Sequence, residues 1–108
     1  MRKKALKNPN EIYQFISEFT RLISLTVNTY SLQYGALSGV PVWVDDEYVG
    51  TTPYSGYVSP GSHKIEVPND LYVHVFQYYY YGSYNYNNPI TLSITSDKTV
   101  NAYYYSYY

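Results

Sequence analysis

Two histidines, His63 and His74, and the run Asp45-Asp46-Glu47 are the side chains best suited to acid–base or metal chemistry in this 108-residue chain. A zinc centre needs three or four converging N, S or O ligands. The histidines fall on separate expected strands, show no His-x-His or His-Glu-x-x-His spacing, and have no Cys to help them. They are expected to make ordinary hydrogen bonds within a sheet. The three acids offer oxygens to a hard cation, but no calcium-loop glycine pattern surrounds them, so a solvated turn is expected. There is no Gly-x-Ser-x-Gly elbow, phosphate loop or carboxylate pair. The expectation is a non-catalytic protein without cofactor or metal. An enzyme built on His63 or His74 would need folding to bring acids or a metal to them.

Tyrosine carries the stronger signal. The chain holds 18, and twelve lie at positions 72, 78–81, 84, 86, 103–105, 107 and 108. Tyrosine buries a ring at low entropy cost while its hydroxyl stays wet, which suits protein contacts. One small core cannot hide twelve, so Tyr78, Tyr79, Tyr80, Tyr81, Tyr84, Tyr86, Tyr103, Tyr105 and Tyr107 are the expected interaction surface. Stacked tyrosines also suit sugar rings or single-stranded bases. Bases would require a basic groove, and the residues after position 24 carry two basic against six acidic side chains, a net −4.

The first 24 residues are basic instead, with Arg2, Lys3, Lys4, Lys7 and Arg21 against Glu11 and Glu18, a net +3. They contain no unbroken apolar run long enough for a cleavable signal peptide or a transmembrane helix. They read as an amphipathic helix: Asn8 caps it, Pro9 takes the first helical position, and Glu11 completes a capping box. Ile12, Phe15, Ile16, Phe19, Leu22 and Ile23 then form one apolar face. Three roles stay open for it: covering the protein's own sheet, docking on another subunit, or lying on a membrane surface. Residues 1–35 are therefore expected to be a basic arm, helix and linker, and residues 36–108 a Tyr-rich β domain.

From Val40 the period becomes two. Val40, Val42 and Val44 share one side of a strand that turns at Asp45-Asp46-Glu47. Gly50-Thr51-Thr52-Pro53 and Ser59-Pro60-Gly61 are further turns, the latter with the Pro-Gly centre of a type II bend. His63, Ile65 and Val67 alternate with Lys64 and Glu66. Residues 71–81 read as one long strand, 82–89 as a polar aromatic loop, and 90–95 with 100–108 as a β-hairpin.

Within this stretch, Val42-Trp43-Val44-Asp45-Asp46, Gly50-Thr51-Thr52-Pro53 and Pro60-Gly61-Ser62-His63-Lys64-Ile65-Glu66-Val67 resemble the PEGA domain over about residues 39–68. The match departs at Asp46, where that family usually has Gly. The ending at 89–104 is similar, less specifically, to closing hairpins of extracellular β-repeats. The PEGA resemblance implies a small antiparallel β-sandwich of bacterial or archaeal surface and envelope proteins, with no catalytic residue. Gly50, Pro53, Pro60 and Gly61 are then turns that determine the fold.

Together these readings predict a mainly β protein preceded by one helix. The expected function is a structural subunit of a virion or a cell-surface filament, associating with copies of itself or with other structural subunits. A carbohydrate- or surface-binding module stacking on Tyr78–Tyr81, Tyr84 and Tyr86 is the rival. Nucleic acid or membrane contact is expected only through the Arg2-Lys3-Lys4 arm.

Overall fold

The computed structural model describes residues 22–107, and these are mainly β. Alternation begins immediately. In β1 (Ile23–Ser31) the odd positions Ile23, Leu25, Val27, Thr29 and Ser31 are buried, while Ser24, Thr26, Asn28 and Tyr30 occupy the other face. Side chains two apart share a face only in an extended chain, so the segment is a strand. This corrects two expectations. Ile23 is a strand residue in the core, and Leu22 precedes the strand half-exposed, so neither continues a helix. The β fold also starts at Ile23 rather than at residue 36. Ile12, Phe15, Ile16 and Phe19 lie outside the described residues.

The remaining strands are β2 (Gly35–Leu37), β3 (Pro41–Val44), β4 (Glu47–Thr51), β5 (Tyr54–Val58), β6 (Gly61–Glu66), β7 (Asp70–Leu71), β8 (His74–Tyr80), β9 (Tyr84–Asn85), β10 (Ile90–Ile94) and β11 (Lys98–Ser106). They form two sheets. Sheet I runs β2-β1-β11-β8-β7, with β5 also beside β1 and β9 beside β8; sheet II runs β10-β6-β3-β4. Sheet II is antiparallel throughout, but β1 and β11 are parallel, in register from Leu25↔Lys98 to Ser31↔Tyr104. The expected purely antiparallel arrangement is corrected there. Leu25, Val27, Val100, Ala102 and Tyr104 of sheet I meet Val42, Val44, Ile65, Ile90 and Ile94 of sheet II in one core. Among the described residues no helix is long and apolar enough to cross a membrane.

Turns direct the chain between sheets. Asp45 and Asp46 both have positive φ (54° and 69°), and Val44 pairs with Glu47. A two-residue loop with both residues left-handed matches the strand twist of a hairpin. Gly50 sits at φ 151° beside the bulge in the β3–β4 pairing, and the Thr52–Pro53 joint then carries the chain into sheet I. Thr52 is buried, and its hydroxyl reaches Thr29 Oγ1 (2.7 Å) and accepts the Val40 N–H (3.2 Å). Thr29 in turn donates to the Leu37 carbonyl at 2.8 Å. A buried hydroxyl without partners would be costly, so this network pins the crossing point. Gly61, after Pro60, opens β6 at φ 135°.

Two further expectations change. Residues 71–81 are not one strand: Tyr72, at φ 53° and fully exposed, turns β7 back onto β8, where Leu71 pairs with His74. The expected hairpin of 90–95 with 100–108 is absent. β10 pairs with β6 in sheet II, whereas β11 pairs with β1 and β8 in sheet I, so residues 95–97 arch between sheets.

Candidate functional site: a tyrosine row on the outer face of sheet I

β11 lies at the centre of sheet I and sorts its side chains by parity. Val100, Ala102, Tyr104 and Ser106 are buried, and Thr99, Asn101, Tyr103 and Tyr105 occupy the opposite face. Strand register then aligns three tyrosines across three strands: Tyr30 of β1 opposite Tyr103 of β11, and Tyr103 opposite Tyr78 of β8. Their rings stack, Tyr30 on Tyr103 at 5.3 Å and 23°, Tyr103 on Tyr78 at 5.1 Å and 28°. Tyr84 and Tyr86 close the row edge-on to Tyr78 at 5.3 and 5.7 Å, and Tyr80 packs on Tyr84 at 4.8 Å. Each such pair contributes roughly 0.5–1.5 kcal/mol beyond its buried area.

The spacing shows how the rings stand. Two near-parallel rings lying side by side in one plane would need about 6 Å or more between centroids, given carbon contacts of ~3.5–4 Å. At 5.1–5.3 Å they overlap instead. Both faces of Tyr103 are therefore covered by neighbours, and the row presents ring edges and hydroxyls outward. Burial, and then the neighbouring phenols of Tyr30, Tyr78, Tyr84 and Tyr80, raise the Tyr103 pKa above its ordinary value. Tyr103, at the centre of the row, therefore stays neutral through the physiological range.

The side chains that flank the row on β1 and β11 are uncharged. Ser24, Thr26 and Asn28 of β1 and Thr99 and Asn101 of β11 flank it, and the Asn28 amide donates to Asn101 Oδ1 at 3.2 Å. Charge gathers on sheet II, where Asp45, Asp46, Glu47, Lys64 and Glu66 lie on β4, β6 and the β3–β4 turn.

Of the expected tyrosine surface, Tyr78, Tyr80, Tyr84, Tyr86 and Tyr103 come together here. Tyr105 and Tyr107 pair with each other (5.8 Å, 83°) farther along the same strand end and are exposed. Tyr79 does not belong to the surface. It is fully buried, its hydroxyl donating to Asn88 Oδ1 at 2.6 Å and accepting the Val67 N–H at 3.2 Å. Burial drives its pKa far upward. Tyr81 packs partly against the core as well. With Phe76 and Tyr104, Tyr79 builds a second aromatic cluster on the inner side of the same sheet. Tyr30, a full member of the row, was not among the expected residues; its signal is the β1 alternation that puts it in phase with Asn28 and Thr26.

The histidines are held separately. His63 Nδ1 meets Asp45 Oδ2 at 2.7 Å, and Nε2 meets the Ser59 carbonyl at 2.7 Å. Burial alone would lower its pKa, but the bonds to Asp45 and Ser59 raise it above the ordinary value. Burial likewise opposes ionisation of Asp45, yet its bonds from His63 and the Lys64 N–H (2.9 Å) hold its pKa below the usual carboxylate range. With both ring nitrogens engaged, His63 is a structural clasp between the β3–β4 turn and β6. His74 Nδ1 meets Ser106 Oγ at 2.6 Å. No group of three His, Cys, Asp or Glu among the described residues could hold a metal ion. Comparison of the chain with family models, curated proteins and solved structures gives no match.

Proposed function

We propose that the protein is a structural subunit of an extracellular particle or filament, a virion or a surface appendage, and that it self-associates through the outer face of sheet I. The observation that carries this reading is the in-register row Tyr30–Tyr103–Tyr78, flanked on β1 and β11 by uncharged side chains. A neutral face meets its own copy without like-charge repulsion, and tyrosine-rich patches with outward hydroxyls suit a wet, specific protein contact. Most of the described charge lies on sheet II, which keeps that side solvated. The G-x-T-P and P-G-x-H positions that resemble the PEGA domain fall at the crossing between sheets and at the start of β6, which agrees with a fold role for those residues.

Sedimentation velocity of the full chain tests it. Tyr84→Arg with Tyr86→Arg puts two cations at the exposed end of the row without touching the core. The wild type is expected to sediment faster with rising concentration and the double variant to remain monomeric; a wild type that stays monomeric at high micromolar concentration refutes the proposal.

A sugar-binding role has one observation in its favour: Tyr84 and Tyr86 are 62% and 71% exposed. Against it, stacking on a sugar needs a free ring face, and the central rings of the row cover one another. A glycan array without hits removes this reading.

A further inference from the structure

At one end of the sandwich, away from the tyrosine row, the 38–40 loop and the β7–β8 turn enclose an open cleft of about 170 Å³. Leu37, Val40 and Leu71 give it apolar walls, Tyr72 stands at its side, and His74 is its one imidazole. The hydrogen bonds behind His74 decide what that ring offers.

They form a chain with a fixed direction. Ser31 Oγ accepts the backbone N–H groups of Gln33 (3.2 Å) and Tyr34 (3.1 Å), which occupy its lone pairs. Its own proton must go elsewhere. Ser106 Oγ lies at 2.7 Å, whereas Gln33 Oε1 lies at 3.5 Å and already accepts the Ser106 N–H at 2.8 Å. Ser31 therefore donates to Ser106. Ser106, itself buried, then has its proton free for His74 Nδ1 at 2.6 Å. In the neutral imidazole one nitrogen accepts and the other carries hydrogen. Nδ1 accepts, so Nε2 carries the N–H, and it has no partner among the described residues.

We propose that this cleft is a binding site for a small neutral molecule with a branched apolar body and one carbonyl acceptor, the carbonyl taking its hydrogen bond from His74 Nε2–H. The pairing of apolar walls with a single oriented donor is the usual make-up of a small-ligand site. A neutral ligand fits better than an anion, because the described residues carry Lys64 and Lys98 against Asp45, Asp46, Glu47, Glu66, Asp70 and Asp97, and the nearest of these acids in sequence, Asp70, belongs to β7 at the cleft. A cation has no acceptor to meet at His74.

The test is NMR titration of the isotopically labelled full chain with isovaleramide, and separately with isoamylamine, which keeps the branched body but has no carbonyl. Saturable shifts at Leu37, Val40 and Leu71 with isovaleramide, absent with isoamylamine, are the expected result. Imidazole ¹⁵N spectra of the unliganded protein should show His74 as the Nε2–H tautomer. His74→Phe should weaken isovaleramide binding about threefold to tenfold, the effect of one neutral hydrogen bond, with the amide shifts of Tyr30, Tyr78 and Tyr103 unchanged as the check on folding. No saturable shift, equal response to both probes, an Nδ1–H tautomer, or a folded His74→Phe protein with undiminished affinity would each overturn the proposal.

Discussion

Protonation of His63 and ionisation of Asp45 work on the same clasp, so pH should tune the stability of the β3–β4 turn from both sides. The folded His63 pKa is raised above the ordinary 6.5, so its contribution is complete below that value and is lost as pH rises through the folded pKa. The folded Asp45 pKa is lowered below 3.8, so its contribution is complete above that value and is lost as pH falls through the folded pKa. Denaturant midpoints should therefore peak between these limits and decline toward pH 8. Asp45 is 52% exposed, which keeps the effect modest. His63→Gln should flatten the alkaline decline; a midpoint that rises from pH 5.5 to 8 in the wild type contradicts the clasp. The tyrosines show what single residues disclose in sequence and what they do not. Tyr78, Tyr79, Tyr80 and Tyr81 are chemically identical, so alternation says they split between two faces but not which pair faces out. That choice is made by register with β11, which sets Tyr79 opposite the buried Ala102 and Tyr78 opposite Tyr103.

At the scale of elements, the β3–β4 hairpin makes the sharpest prediction. A left-handed residue other than Gly carries some strain, smallest for Asn and Asp, and Asp46 sits at φ 69° where a Gly is the favoured second residue of such a turn. Asp46→Gly removes that strain and loses an exposed ion pair with Lys64 worth little. It should stabilise the protein by up to about 1 kcal/mol, read from urea unfolding; a loss of stability would mean that the ion pair outweighs the strain. This hairpin, β6 and the core valines were legible because their patterns are local. β1 was not, since Ile23 extends an apolar helical spacing from upstream while Ile23, Leu25 and Val27 also alternate as a strand. Pairing with β11, some seventy residues on, decides between the two, and no local pattern records a partner that remote. The break at Tyr72 was hidden because both faces of 71–81 are apolar or aromatic, so a strand and a hairpin read alike. Ser96-Asp97-Lys98-Thr99 looks like a hairpin turn, yet a turn sequence does not state whether its two strands share a sheet.

Across the whole molecule, composition becomes geography. The excess of tyrosine resolves into an inner cluster of Phe76, Tyr79 and Tyr104 that builds the core and an outer row that faces away from it. The few charges of the described residues collect mainly on sheet II, leaving sheet I with Asp70 and Lys98 on its strands. The proposed function predicts assembly through the tyrosine row of sheet I whatever the number of copies. The chain has no cysteine, so a single introduced thiol can carry a spin label at a chosen place. Thr99 is exposed on the outer face of sheet I, and Thr91 is exposed on β10 of sheet II. Electron paramagnetic resonance of Thr99→Cys and Thr91→Cys, each labelled and compared between dilute and concentrated solutions, tests the interface directly. The label at 99 should lose mobility as concentration rises while the label at 91 keeps it. Immobilisation at 91 alone, or at neither position up to high micromolar concentration, would contradict assembly through the tyrosine face.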